Sequence, residues 1–195
     1  ANYWMHNGFV NIDNVKMSKS LGNFITVHDA LKTIDGQVLR FFFATQHYRK
    51  PINFTEKAVR DAETNLKYLK NTYEQPFTGE VDLADLQAFV DKFIAAMDED
   101  INAANGITVV FELAKWINSG HYNQDVKDAL TKMLEVFGVV FVEEVLDADI
   151  EALIAERQEA RAKKDFARAD AIRDELAAQG IKLLDTKEGV RWTRD

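Results

Sequence analysis

Lys16-Met17-Ser18-Lys19-Ser20-Leu21-Gly22-Asn23 sets two lysines three residues apart, in a run that also carries two hydroxyls and a glycine. Those residue types suit phosphate. A lysine ammonium is a compact point charge with rotatable donors, able to follow a phosphate that moves, and serine hydroxyls add neutral hydrogen bonds. Gly22 permits a turn or a close backbone approach. A second basic group, Arg49-Lys50, has the local density that phosphate contact needs.

The distribution of charge separates these segments from the rest. The chain has 195 residues, 24 Lys and Arg against 32 Asp and Glu, and a net charge of −8. Residues 1–70 hold 10 basic and 6 acidic groups, residues 71–150 hold 4 and 16, and residues 151–195 hold 10 of each. A polyanion is therefore drawn to the two ends and repelled by the middle. No cysteine is present, which excludes disulfides, thiolate metal sites and thiol nucleophiles. No apolar run approaches the ~18 residues of a membrane span, and the first residues lack the pattern of a secretory leader.

The elements that must carry these groups are mainly α-helical. Tyr3 to Val10 reads as a strand, Asn11 to Asn14 as a turn, and Lys16 to Asn23 as a loop. A short helix follows over 29–34. Residues 37–48 form a helix apolar nearly all round, the mark of a buried helix. Thr55 is the expected N-cap of a helix that carries Val59, Ala62, Leu66, Leu69 and Tyr73 on one stripe and stops before Pro76. Three more amphipathic helices follow, the first with Leu83, Leu86, Phe89, Val90, Phe93, Ile94 and Met97 in unbroken 3, 4, 7 spacing. Their stripes must bury against one another, giving a bundle. Residues 149–162 and 166–178 form a helix pair with Asp165 as cap, and 181–184 with 190–192 bracket the turn of a β-hairpin. The expected architecture is a loop and connector segment (1–54), a helical bundle (55–146), and a small domain of helix hairpin plus β-hairpin (147–195).

The literal string Lys16 to Ser20 is the KMSKS signature, and with Leu21-Gly22-Asn23 it resembles class I aminoacyl-tRNA synthetases. Tyr3-Trp4-Met5-His6-Asn7-Gly8-Phe9-Val10 before it, and Leu39 to Phe42 and His47 to Phe54 after it, are similar to the cysteinyl-tRNA synthetase family. So are Arg161 to Phe166 and the closing Arg191-Trp192. The resemblance runs end to end. It implies a cytoplasmic ligase that activates cysteine with ATP and magnesium and passes it to cysteine tRNA, with Lys19 as the main ATP and pyrophosphate contact, Lys16 second, and Ser18 and Ser20 supporting. The family's nucleotide-binding half and its zinc site, built from Cys, His and Glu, lie upstream of the signature. The chain is thus expected to be a C-terminal fragment, inactive alone, with no metal site of its own and a monomeric state.

By the same resemblance, residues 24–54 are a connector facing the tRNA, where Arg40, His47, Arg49 and Lys50 are candidates for phosphates. Arg161, Phe166, Asp170 and Asp185 are the implied anticodon contacts. The family often has tryptophan where this chain has Phe166; phenylalanine retains stacking and loses the indole donor. Phe166 either stacks on a base or packs on Leu153 and Ile172. Asp170 and Asp185 either accept from a base amino group or pair with Arg173 and Lys187. A freestanding RNA-binding module with a vestigial loop, and a paralogous cysteine ligase lacking the anticodon domain, are the competing readings; residues 149–195 speak against the second.

Overall fold

A computed structural model describes residues 1–142, 148–186 and 189–194, with side chains omitted at a few positions of the C-terminal hairpin. The chain divides into two compact units, residues 1–141 and 142–195.

The first unit opens with β1 (Val10–Ile12), a turn at Asp13 and Asn14, and β2 (Val15–Lys16). The strand expected over 3–10 begins only at Val10, the first residue with a partner in the ladder, Ile52. β1 is the middle strand of three, antiparallel to β2 and parallel to β3 (Ile52–Phe54), with Val10 opposite Ile52 and Ile12 opposite Phe54. Asp13 and Asn14 both have positive φ, 48° and 66°, as a tight two-residue hairpin turn requires. Asn53 holds that turn by accepting from the Asn14 N–H at 2.8 Å and donating to the Asn14 side chain at 2.9 Å. Gly8 has no room for a side chain, since a Cβ there would fall on the carbonyl of Lys50 and the nitrogen of Pro51. Its N–H donates to Tyr48 O at 2.7 Å.

The helices are α1 (Val27–Ala30), α2 (Gly36–Ala44), α3 (Glu56–Tyr73), α4 (Leu83–Asp98), α5 (Ala103–Asn118) and α6 (Gln124–Val136). Thr55 caps α3 as expected, accepting from Ala58 N–H at 3.1 Å. One core joins Phe41 and Phe42 of α2 to Leu66 and Leu69 of α3, Leu113 and Ile117 of α5, and Leu130 and Leu134 of α6. α2 is not apolar all round in effect: Val38, Leu39, Phe41 and Phe42 are buried, whereas Arg40 and Phe43 face outward, because core lies on only one side of the helix. α4 is likewise one-sided, with Leu86 and Phe93 buried and Leu83 and Ile94 exposed.

The second unit pairs α7 (Ala148–Ala162) with α8 (Phe166–Ala178), followed by the hairpin β4 (Ile181–Thr186) and β5 (Gly189–Arg194). Its core is Ile150, Ile172, Leu176 and Ile181, with Leu153, Leu183 and Trp192 packed against it. Asp165 caps α8, its side chain accepting from Arg168 N–H at 3.1 Å.

Candidate nucleotide and RNA site

Residues 17–23 leave β2 as a short loop whose geometry is held locally. Met17 N–H donates to Val10 O at 3.0 Å, so the loop starts from the sheet. Ser18, in an extended conformation, caps a single 3-10 turn, Lys19–Leu21, with its hydroxyl accepting from Ser20 N–H at 3.2 Å. Gly22 ends the turn at φ 69°, a left-handed conformation suited to glycine, and donates to Lys19 O. Asn23 then folds back across the loop. Its Oδ1 accepts from Ser18 N–H at 2.9 Å and its Nδ2 donates to Lys16 O at 3.3 Å.

Every side chain expected to meet phosphate is exposed or half-exposed here, and each has an internal partner. Lys16 Nζ lies 3.9 Å from the centre of the Phe9 ring, and Lys19 Nζ lies 5.4 Å from that of Phe24. The hydroxyls of Ser18 and Ser20 are 2.7 Å apart and bond to one another. Exposed cation–π contacts are worth only ~0.5–1 kcal/mol, less than a charge-assisted hydrogen bond to phosphate at ~1.5–3 kcal/mol. A phosphate group therefore competes well for both lysines. Asn23, Phe9 and Phe24 are the residues that spacing alone did not single out. Asn23 ended the motif string, but nothing in the string says that its side chain turns back to Lys16.

Arg49 and Lys50 are both exposed, but they are not equivalent. Arg49 Nε donates to Asp100 Oδ2 at 2.7 Å and an η nitrogen to Oδ1 at 3.0 Å, a bidentate pair. Tyr48 OH donates to Oδ1 of the same carboxylate at 2.7 Å. His47 stacks on Tyr48 with ring centres 4.9 Å apart, and its Nε2 is 3.7 Å from Asp100 Oδ2. The hydrogen bonds from Arg49, and then from Tyr48, hold the Asp100 carboxyl down at about 2, and those to Asp100 push the Arg49 guanidinium up. Asp100 and Ile101 both have positive φ, 59° and 52°, in the α4–α5 corner that presents this carboxylate. Arg40 is used structurally as well, lying across the backbone of Gly138.

In the second unit Phe166 is 62% exposed at the start of α8, so packing on Leu153 and Ile172 does not account for it. Arg161 is exposed at the end of α7, next to the turn that places Lys164 at φ 62°. Asp170 pairs with Arg173 at 3.2 Å on the surface of α8. The side chain of Asp185, like Lys187, lies outside the described residues. Arg168 ties α8 to α7 through Glu156 at 2.8 Å, and that bond lowers the Glu156 carboxyl and raises the Arg168 guanidinium.

Comparison with known proteins connects the two regions. Residues 1–64 match the model of the tRNA synthetases class I (C) catalytic domain, residues 92–143 the DALR domain, and residues 143–192 the cysteinyl-tRNA ligase anticodon binding domain. Over its whole length the chain is similar to cysteine–tRNA ligases. It is 84% identical over its whole length to a cysteine–tRNA ligase of Streptococcus pneumoniae, 80% to one of Streptococcus mutans and 76% to one of Streptococcus thermophilus. It spans 44% of the length of each of these relatives. In the terms of the family, the pinned loop lies in the stretch matched by the catalytic model, and Arg161, Phe166 and Asp170 lie in the stretch matched by the anticodon-binding model. Among the described residues no helix is long and apolar enough to cross a membrane, and no group of three or more His, Asp or Glu is placed to hold a metal ion.

Proposed function

We propose that this chain is the C-terminal part of a monomeric, cytoplasmic cysteine–tRNA ligase, supplying the loop that receives pyrophosphate and the surfaces that hold cysteine tRNA. The reading rests on one conjunction: an exposed two-lysine loop pinned to the sheet stands on the same chain as a segment matched to a cysteinyl-tRNA ligase anticodon binding domain. In the reaction, a carboxylate oxygen of cysteine attacks the α-phosphorus of ATP. The bond from that phosphorus to the bridging oxygen breaks, and pyrophosphate leaves with the electron pair. The negative charge that grows on the leaving group is where Lys19 and Lys16 act, releasing Phe24 and Phe9 as they turn to the phosphates. Ser18 and Ser20 exchange their mutual hydrogen bond for phosphate oxygens. The terminal adenosine hydroxyl of the tRNA then attacks the cysteinyl carbonyl, and AMP departs.

Magnesium belongs to the bound ATP. Zinc does not fit this chain, which has no cysteine and no suitable cluster among its described residues, so in this reading it is bound by the remainder of the ligase. The tRNA is held at two places. Lys50 meets backbone phosphates on the connector beside Arg49, whose guanidinium stays on Asp100, and the α7–α8 corner with Arg161 and Phe166 meets the anticodon loop, Phe166 by stacking. Asp170 and Asp185 accept from base amino groups, Asp170 by giving up Arg173. The acidic middle block, apart from Asp100 beside Arg49, faces away from RNA for electrostatic reasons.

Cysteine-dependent exchange of labelled pyrophosphate into ATP by the complete ligase tests the first half of this reading. Filter binding of cysteine tRNA and its anticodon mutants to the same protein tests the second. Absence of exchange with cysteine, or equal affinity for all anticodons, removes the corresponding half.

A further inference from the structure

Asn23, at the far end of the loop, folds its side chain back onto the loop's start, accepting from Ser18 N–H at 2.9 Å and donating to Lys16 O at 3.3 Å. It offers one acceptor and one donor, and an amide side chain is the smallest group that carries both in a fixed plane. The two atoms it grips bracket Met17. The Lys16 carbonyl orients the peptide from which the first lysine projects. The Ser18 amide orients the residue that caps the turn bearing the second lysine. The glycine before it, at φ 69°, reverses the chain so that the Asn23 side chain reaches back. Without this bridge the loop keeps Met17 N–H on Val10 O at one end and, at the other, two turn bonds at 3.2 and 3.3 Å with the contacts between Ser18 and Ser20, none of which reaches back to Lys16.

We infer that Asn23 is a positioning residue for pyrophosphate departure: it touches no substrate and acts by holding Lys16 and Lys19 at a fixed separation while their side chains leave the phenylalanine rings. This inference deepens the proposed function and rests on it. A preorganised pair of ammonium groups needs no reordering at the moment charge develops, whereas a loop free to shift by about an ångström loses ~10²-fold in rate. A hydrogen bond in such a half-exposed loop contributes only ~0.5–1.5 kcal/mol net to stability, so the larger effect belongs to the rate of the chemical step.

The test uses the complete ligase that carries this chain, with cysteine-dependent pyrophosphate exchange, the KM for ATP and for cysteine, and the melting temperature measured together. Asn23→Ala is expected to lower kcat by ~10- to 100-fold while both KM values stay within about threefold and the melting temperature falls by no more than about 4 °C. Placed in a Lys19→Ala background, the same substitution is expected to add less than about a threefold loss, because the separation that Asn23 holds no longer exists once one of the two ammonium groups is gone. An unchanged kcat for Asn23→Ala, or a full additional loss in the Lys19→Ala background, overturns the inference. Lack of exchange by the unsubstituted ligase overturns the proposed function instead, so the two failures are distinct.

Discussion

Arg49 grips both carboxylate oxygens of Asp100, at 2.7 and 3.0 Å, across 51 residues of sequence. The contact joins the connector after α2 to the corner between α4 and α5, and Tyr48 donates to the same carboxylate. A cation on the connector is thereby paired with an anion of the acidic middle block, at a place where the chain is proposed to meet RNA phosphate.

The pair dictates an acid response. Asp100 has its carboxyl held at about 2, below the ordinary 3.8, by hydrogen bonds from Arg49 and then Tyr48. A depressed carboxyl contributes stability that is complete above its ordinary value and is lost as pH falls through the folded one. Acid titration followed by circular dichroism should show a stability difference between the natural chain and Asp100→Asn that is constant above about pH 5 and shrinks between about pH 4 and 2. Curves that stay parallel through that window contradict the assignment.

The same substitution should change RNA binding in the opposite sense. With Asp100→Asn the guanidinium of Arg49 no longer faces a carboxylate, so one more phosphate contact becomes available to it. Cysteine tRNA is expected to bind more tightly at low salt, with the slope of log affinity against log salt steeper by about one unit. A slope equal to that of the natural protein places Arg49 outside the RNA surface.

Lys19→Ala in the complete ligase should slow adenylate formation by ~10²- to 10³-fold, the loss expected when one preorganised transition-state donor is removed. Lys16→Ala should lose less, since its ammonium sits closer to an aromatic ring and must leave more behind. Rapid-quench measurement of the first turnover checks both; an unaltered burst for Lys19→Ala assigns the loop a different task.

Phe166 and Ile172 lie on one helix and should separate binding from folding. Phe166→Ala, at a 62% exposed position, is expected to weaken tRNA binding by ~1–3 kcal/mol with little change in melting temperature. Ile172→Ala, fully buried in the small core, is expected to destabilise the second unit by ~2–5 kcal/mol. Thermal melts and filter binding of the two variants, compared side by side, decide the matter.

Gly8→Ala should damage the first unit more than any ordinary surface change, by ~1–3 kcal/mol, because the added methyl lands on the peptide joining Lys50 to Pro51. Denaturant unfolding measures it, and a loss within ~0.5 kcal/mol, the scale of ordinary surface substitutions, would mean that the segment before β1 does not pack there.

Much of this protein is written locally in its residues. Thr55 and Asp165 announce the helices they cap, Pro76 ends the periodicity before it, and the apolar stripes of α3, α5 and α6 give both the helices and the faces they bury. The hairpin of the second unit and the motif of the proposed phosphate loop are equally local, since a turn, a cap or a motif depends on residues within a few positions of one another. Tertiary structure alone decided the rest. β1 is short and starts at Val10 because its parallel partner, Ile52–Phe54, lies about forty residues on. The outward turn of Phe43 and Arg40 depends on where the core lies, and the pairing of Arg49 with Asp100 on a corner that brings residues 49 and 100 together. Neighbours along the chain interact through fixed geometry that composition and spacing reveal, whereas contacts between distant residues exist only once packing has chosen which surfaces meet.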